Sequence, residues 1–193
     1  MLLSQDEARF SLIPTLRTTL GIKGHRPVVG NLDCHEYLYL FGALNLLSGR
    51  LTTRLVERPT KSKMHRAAKY RYLQEAFARH LRDIARAYPA ERHGRVVIVV
   101  DKASWHKGAL IKQVLADHPH LELYPLPSYS PKLQVIERFW KLLRRRATHN
   151  RLFATMAKLK QALRSSLCYY QTLKHRLLTL IASRRKRTKS SAA

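Results

Sequence analysis

A chain of 193 residues, 45% of them apolar, is long enough for one well-buried domain, and its composition excludes wholesale disorder. Thirty-seven Lys and Arg against twelve Asp and Glu give a formal net charge of +25, which points to a polyanionic partner, nucleic acid first and an anionic membrane surface second. The membrane reading wants a basic amphipathic helix in place of a fold, and no apolar run approaches the ~20 residues that span a bilayer.

The opening MLLSQDEARF has no charged stretch followed by an apolar run, so no signal peptide is expected. Strands are expected at Met1–Gln5, Ser11–Leu20 and Tyr37–Leu46, broken by Gly21, Gly24, Pro27, Gly30 and Gly49. The run YLYLFGALNLL suits a buried strand, although its periodicity alone also admits a helix. From Ser62 to Tyr88 the apolar residues Leu73, Phe77, Leu81, Ile84 and Tyr88 recur at helical spacing, an amphipathic helix closed by Pro89. RVVIVVD, ending in Asp101, has the β-branched run of a parallel strand buried on both faces. A helix near Gly108–Ala116 and a short strand in LELYPLP complete a right-handed crossover unit. Ser130 and Pro131 read as the N-cap and first residue of a further helix, with Leu133, Ile136, Phe139, Trp140 and Leu143 on its apolar face. Two more helices are expected at Phe153–Tyr169 and Leu173–Ser183, and the end, SRRKRTKSSAA, as a basic disordered tail. The order β-β-β-α-β-α-β-α describes an α/β domain: a mixed sheet of three antiparallel strands followed by parallel ones, flanked by helices, with a helical basic C-terminus.

Three acids stand out. Asp101 closes an apolar strand at the carboxyl end, where ligands of open α/β sheets gather, but a solvated cap has the same appearance. Glu137 is the last acid in the chain, with sixteen Lys and Arg after it. At ~100° per residue it lies on the margin of its helix's apolar stripe, where a plain i,i+4 pair with Lys141 is the bland alternative. Asp6 follows the first strand; it and Glu7 point to opposite sides if that strand continues, so at most one shares a site with Asp101. Taken together, isolated carboxylates inside a basic surface suit a pair of divalent metals clamping a phosphodiester.

QDEARF, then GIKGHRPVV, VVIVVDKASWHK and LPSYSPKLQVIERFW, in that order, resemble the catalytic domain of bacterial insertion-sequence transposases of the mariner-like DDE superfamily, over roughly residues 1 to 150. The resemblance implies a ribonuclease-H-like fold and a triad of Asp6, Asp101 and Glu137 binding two Mg²⁺ or Mn²⁺ ions. It implies hydrolysis of DNA at element ends and joining of the freed 3′-hydroxyl to target DNA, commonly at a TA step. Departures are Lys102 where the family has Asn, Lys132, Gln134 and Val135 in the third block, and Leu20 where a Trp is usual. The family's N-terminal helix-turn-helix units are expected to be missing here, with a separate polypeptide recognising the ends, and a homodimer on DNA follows by the same analogy.

By this reading residues 1–150 form the catalytic domain, 151–183 form helices packed on or extending it, and 184–193 form the tail. His106 is a candidate either for substrate phosphate or for orienting Asp101, with a purely structural His as the alternative. Lys107, Arg138, Lys141, Arg144, Arg145 and Arg146 are candidate DNA contacts, taken as a cluster. Trp105 and Trp140 suit core or interface positions better than base-stacking ones. Cys34 and Cys168, far apart and in no motif, support neither a disulfide nor a zinc site and fit a reducing compartment, here a cytoplasm with nucleoid association and no membrane. Two rival readings are a non-catalytic basic DNA-binding remnant, which Lys102 and Lys132 favour, and a ribonuclease-H-like nuclease with another substrate.

Overall fold

Ten residues from Leu2 to Ser11 make the longest strand, β1, and the rest of the sheet is built around it. A computed structural model describes residues 1–25, 27–30, 34–57, 65–127 and 133–181. Strands β2 (Tyr37–Asn45) and β3 (Leu51–Glu57) precede helices α1 (Arg66–Ala87) and α2 (Ala90–His93); β4 (Val96–Val100), a 3₁₀ turn at Ser104–His106, α3 (Ala109–Asp117) and β5 (Leu121–Pro125) follow. Helices α4 (Ile136–Ala147), α5 (Met156–Thr172) and α6 (Lys174–Ile181) end the described chain.

The five strands run in the order β3-β2-β1-β4-β5. β1 pairs antiparallel with β2 and β2 with β3, while β4 is parallel to both β1 and β5. Three antiparallel strands therefore lead and parallel ones follow, as the sequence implies. The third antiparallel strand is not the expected one. Residues 12–20 leave the sheet, exposing Leu16 and Leu20, and Leu51–Glu57 takes the place. LTTRLVE is mostly half-buried at a sheet edge and so carries little apolar signal.

Period-two alternation along the strands divides the core. Leu3, Phe41, Val96, Ile98 and Val100 face α1 and α3, where Leu73, Phe77, Leu81 and Ile84 meet them at the expected spacing. Ala8, Phe10, Leu38, Leu40 and Leu44 face the other way, against Phe139, Trp140 and Leu143 of α4 and against Leu159, Leu163, Tyr170 and Leu177 of α5 and α6. α4 packs over β1 and β2. Val97 and Val99 are consequently only half-buried, so β4 is fully buried on one face and not on both.

α4 starts later than expected, at Ile136, and Leu133 is 54% exposed outside it. Ser130, Pro131 and the tail lie outside the described residues. At the sheet edge, Gln171 of α5 holds Leu51 through both its backbone groups, accepting from its N–H at 3.4 Å and donating to its C=O at 2.5 Å. Tyr72 of α1 donates to the Glu57 carbonyl at the other end of β3.

Candidate active site

β1 outruns its parallel neighbour. The β1–β4 register matches Leu2 with Val97 and Ser4 with Val99, and continuing it two residues brings Asp6 level with Asp101, just past the end of β4. On the other side Asp6 faces Gly42 of β2. Burial pushes the Asp6 carboxyl up, to a pKa of about 7, with the negative charges of Glu7 and Asp101 adding to the rise and a hydrogen bond from Trp140 opposing it. Asp6 thus feels the charge of a second expected acid, Asp101.

Glu7 points to the opposite face, as alternation requires, yet it reaches the same site through His106. The His106 Nδ1 lies 3.0 Å from Asp101 Oδ1 and its Nε2 lies 3.4 Å from Glu7 Oε2. The second contact is misaligned for a hydrogen bond, so it acts through charge. Trp105 donates its indole N–H to Glu7 at 2.5 Å, and the His106 ring packs 4.2 Å from that of Phe77. Burial works against a charged imidazole here, but the hydrogen bond to Asp101 and the nearby negative charges of Glu7 and Asp101 outweigh it and raise the His106 pKa to about 9. In return the hydrogen bond from His106, helped by the Ala103 N–H at 3.0 Å, holds the half-exposed Asp101 carboxyl below its ordinary range. Of its two sequence-level roles, His106 sits in the place that orients Asp101 and is buried from any ligand.

The start of α4 is fastened across β1. Gln134 donates to the Gln5 carbonyl at 2.6 Å, the Ile136 N–H reaches Ser4 Oγ at 3.3 Å, and the Trp140 indole donates to Asp6 Oδ2 at 3.0 Å. Trp140 sits directly over Gly42, where an added Cβ would stand 2.5 Å from its ring. Glu137 lies between Gln134 and Trp140 along this stretch, in the first turn of α4. It is exposed, and among the described residues no ion pair joins it to Lys141 and no group of three acids includes it. Glu7 and Trp140 were not singled out for the site by sequence reasoning. The indole's role is invisible without knowing that α4 crosses β1.

The donor set suits a divalent cation. Asp6 is a carboxylate penalised by burial and by like charge, a condition that a bound cation relieves, and hard cations such as Mg²⁺ take carboxylate oxygens. Among the described residues no three His, Cys, Asp or Glu side chains are grouped to hold a metal. Asp6 and Asp101 would supply two ligands, and Glu137 is not grouped with them.

The basic candidates divide. Lys107, Lys141 and Arg145 are exposed. Arg138 donates to the Ile181 carbonyl at 3.2 Å, Arg146 stacks 3.5 Å above the Tyr169 ring, and Arg144 lies over Phe10 with a 3.4 Å bond to the Arg9 carbonyl. These three are partly occupied in holding the fold together.

Solved structures share the architecture. The Mos1 mariner paired-end complex with manganese superposes with a TM-score of 0.62 at 16% identity, over 93% of this chain and 53% of that one. A pre-cleavage Mos1 transpososome gives 0.63 at 15%, with the same coverage. The isolated catalytic domain of the Mos1 mariner transposase gives 0.58 at 18%, over 93% of this chain and 78% of that one. The chain thus spans about half the length of the Mos1 chains in those complexes, and at this identity the likeness establishes a shared fold, that of a ribonuclease-H-like transposase catalytic domain. No curated protein matches it. Residues 1–160, most of the chain and both acids at the β1–β4 junction, match the family of DDE superfamily endonucleases, and to that family the chain belongs.

Proposed function

We propose that this chain is the catalytic part of a transposase, cutting DNA phosphodiesters and joining the freed 3′-hydroxyl to target DNA. The observation that carries the reading is the level placement of Asp6 on β1 and Asp101 just past the end of β4, close enough for the Asp101 charge to add to the rise in the Asp6 pKa. The Mos1 structures with manganese, with magnesium and as a strand transfer complex support a divalent metal and a DNA substrate.

Asp6, Asp101 and Glu137 would hold Mg²⁺ or Mn²⁺, two ions in all. Bound metal supplies a nucleophilic oxygen at neutral pH and neutralises charge on the phosphate. The chain's own residues do the positioning. Trp140 fixes one oxygen of Asp6. His106 and the Ala103 N–H fix Asp101, and Glu137, in the first turn of α4, would have to close on the pair when metal and DNA bind. Lys107, Lys141 and Arg145 offer charge to the DNA backbone. Residues 1–150 would carry the catalysis, with the helices of 151–183 packed on it. End recognition by a separate polypeptide, a homodimer on DNA and a nucleoid-associated place in a bacterial cytoplasm complete the reading.

The decisive experiment is nicking and strand transfer on duplex DNA with Mg²⁺ or Mn²⁺, comparing the wild-type chain with Asp101→Ala and Glu137→Ala. Cleavage lost in both variants with DNA binding retained supports the reading. Equal cleavage in wild type and Asp101→Ala overturns it. The exposed, unassembled Glu137 favours a second reading, a basic DNA-binding remnant without activity, which predicts salt-sensitive binding and no metal requirement.

A further inference from the structure

Where the chain leaves β1, one residue ties it down. Asn150, just beyond α4, has a left-handed backbone (φ 55), a conformation that Asn tolerates better than most residues. Its side-chain amide pairs with both backbone groups of Arg17, accepting from the N–H at 2.8 Å and donating to the C=O at 2.9 Å. Its own N–H donates to the Thr15 carbonyl at 3.1 Å, beside a parallel bridge between Thr15 and His149. The segment 15–17 is therefore held against the end of α4 as if it were a strand, although it belongs to no sheet.

What this fastening gathers is positive charge. Arg17 joins Arg144, Arg145 and His149, while Arg9, Arg144 and Arg151 line one hollow together with Thr15 and Thr148. Burial and the charges of Arg17, Arg144 and Arg145 hold the His149 imidazole below its ordinary range. Among the described residues Arg17, Arg145, His149 and Arg151 make no ion pair. Like charges that the fold brings together at a cost, with no carboxylate paired to them among the described residues, suit an anionic ligand. The charge of Asp6 reaches Arg144, so the cluster adjoins the candidate active site.

We propose that Arg17, held by Asn150 against Arg144, Arg145 and His149, forms a seat for a backbone phosphate of the DNA strand that enters the Asp6 site. Guanidinium groups match phosphate oxygens in pairs; Arg144 is shared between this cluster and the hollow that Arg9 and Arg151 line, so the basic groups flank a recess that suits a tetrahedral anion better than a flat base edge. The seat rests on the proposed DNA substrate but on none of the proposed chemistry. Among the arginines of α4 it gives Arg145 wholly, and Arg144 beside its bond to the Arg9 carbonyl, to the strand, while Arg138 and Arg146 hold the protein.

The test is fluorescence anisotropy of the full chain on labelled duplexes of two unrelated sequences, in EDTA, across a salt series. Arg17→Gln should lower the slope of log affinity against log salt by about 1, with roughly tenfold weaker binding at moderate salt on both sequences. Asn150→Ala should reproduce that loss, and the double variant should be no worse than either single one, because Asn150 acts through Arg17. Arg92→Gln, on the exposed end of α2, controls for net charge and should match wild type. Arg17 is exposed, so its variant should melt with the parent; should Asn150→Ala unfold, the Arg17→Gln result alone decides. If Arg17→Gln behaves like Arg92→Gln, the seat is refuted. If inorganic phosphate shifts the His149 resonances while Arg17→Gln still binds DNA normally, the seat takes free phosphate and the assignment to DNA is refuted. Cleavage is not measured, so failure here leaves the catalytic reading standing, and a failed cleavage assay leaves the seat standing.

Discussion

His106 Nδ1 stands 3.0 Å from Asp101 Oδ1 while the far side of the ring faces Glu7, so two acids from different strands are joined through one buried imidazole. His106→Asn should keep some of the polar contact but lose the charge and the packing on Phe77. The expected cost is about 1–3 kcal/mol at pH 7, read by chemical denaturation. Metal-dependent cleavage should fall by roughly 10–100-fold, the range for groups that orient a metal ligand.

Asp6 should make the metal-free protein less stable. Its folded pKa of about 7 lies above the ordinary 3.8, so between those values the folded state binds more protons than the unfolded one. Stability is then lost as pH rises from about 4 to 7, and the penalty is complete above that. Asp6→Asn, which still accepts the Trp140 bond, should raise the melting temperature at pH 8 and change nothing at pH 3.5. Mn²⁺ should raise the melting temperature of the wild type and leave Asp6→Asn unmoved.

Gly42 is there for Trp140. Gly42→Ala places a methyl 2.5 Å from the indole, so the ring must move off Asp6. Overpacking of this kind costs about 1–3 kcal/mol. A shifted tryptophan emission should accompany the loss, and Trp140→Phe in the same chain should recover part of the stability, because the shorter ring vacates the contested space.

His80 supplies a second pH dependence, of opposite sign to that of Asp6. It is fully buried against Phe41, and neither ring nitrogen completes a hydrogen bond, the Gly42 backbone lying near without aligning. Burial lowers its pKa to about 4, with Asp83 pulling up and Arg54 pushing down. Protonation at pH below the ordinary 6.5 therefore favours the unfolded chain, and stability falls as pH drops from 6.5 towards 4. The loss should reach a few kcal/mol. His80→Phe should abolish that slope in urea titrations at pH 7, 6, 5 and 4.5.

Much of this was legible in the sequence. VVIVV and the spacing of Leu73, Phe77, Leu81 and Ile84 identify a strand and a helix by local periodicity alone, and both form. Ser11–Leu20 misleads because, beyond Leu12, its apolar residues Ile13, Leu16 and Leu20 are exposed; they sit on a segment fastened by Asn150, a contact 133 positions away. β3 was missed for the converse reason, since an edge strand needs few apolar residues. Asp6 and Asp101 could be named as candidates, but that they stand level depends on strand register, which one-dimensional pattern does not carry. Glu7 was set aside because alternation turns it away from Asp6, and only the position of His106 shows how it returns to the same site.

The pairing of Gln171 with Leu51 at the sheet edge has a bearing on solution behaviour. With Tyr72 stopping the Glu57 carbonyl at the far end, the outward backbone groups left unclaimed among the described residues of β3 are those of Thr53 and Leu55 and the Glu57 N–H. That stretch is too short to recruit a neighbouring chain, which needs about five or six residues to build a lasting strand. The open side of the sheet is thereby protected from growing into the endless intermolecular sheet that exposed edges otherwise template, and a side-chain amide on α5 serves as the final strand.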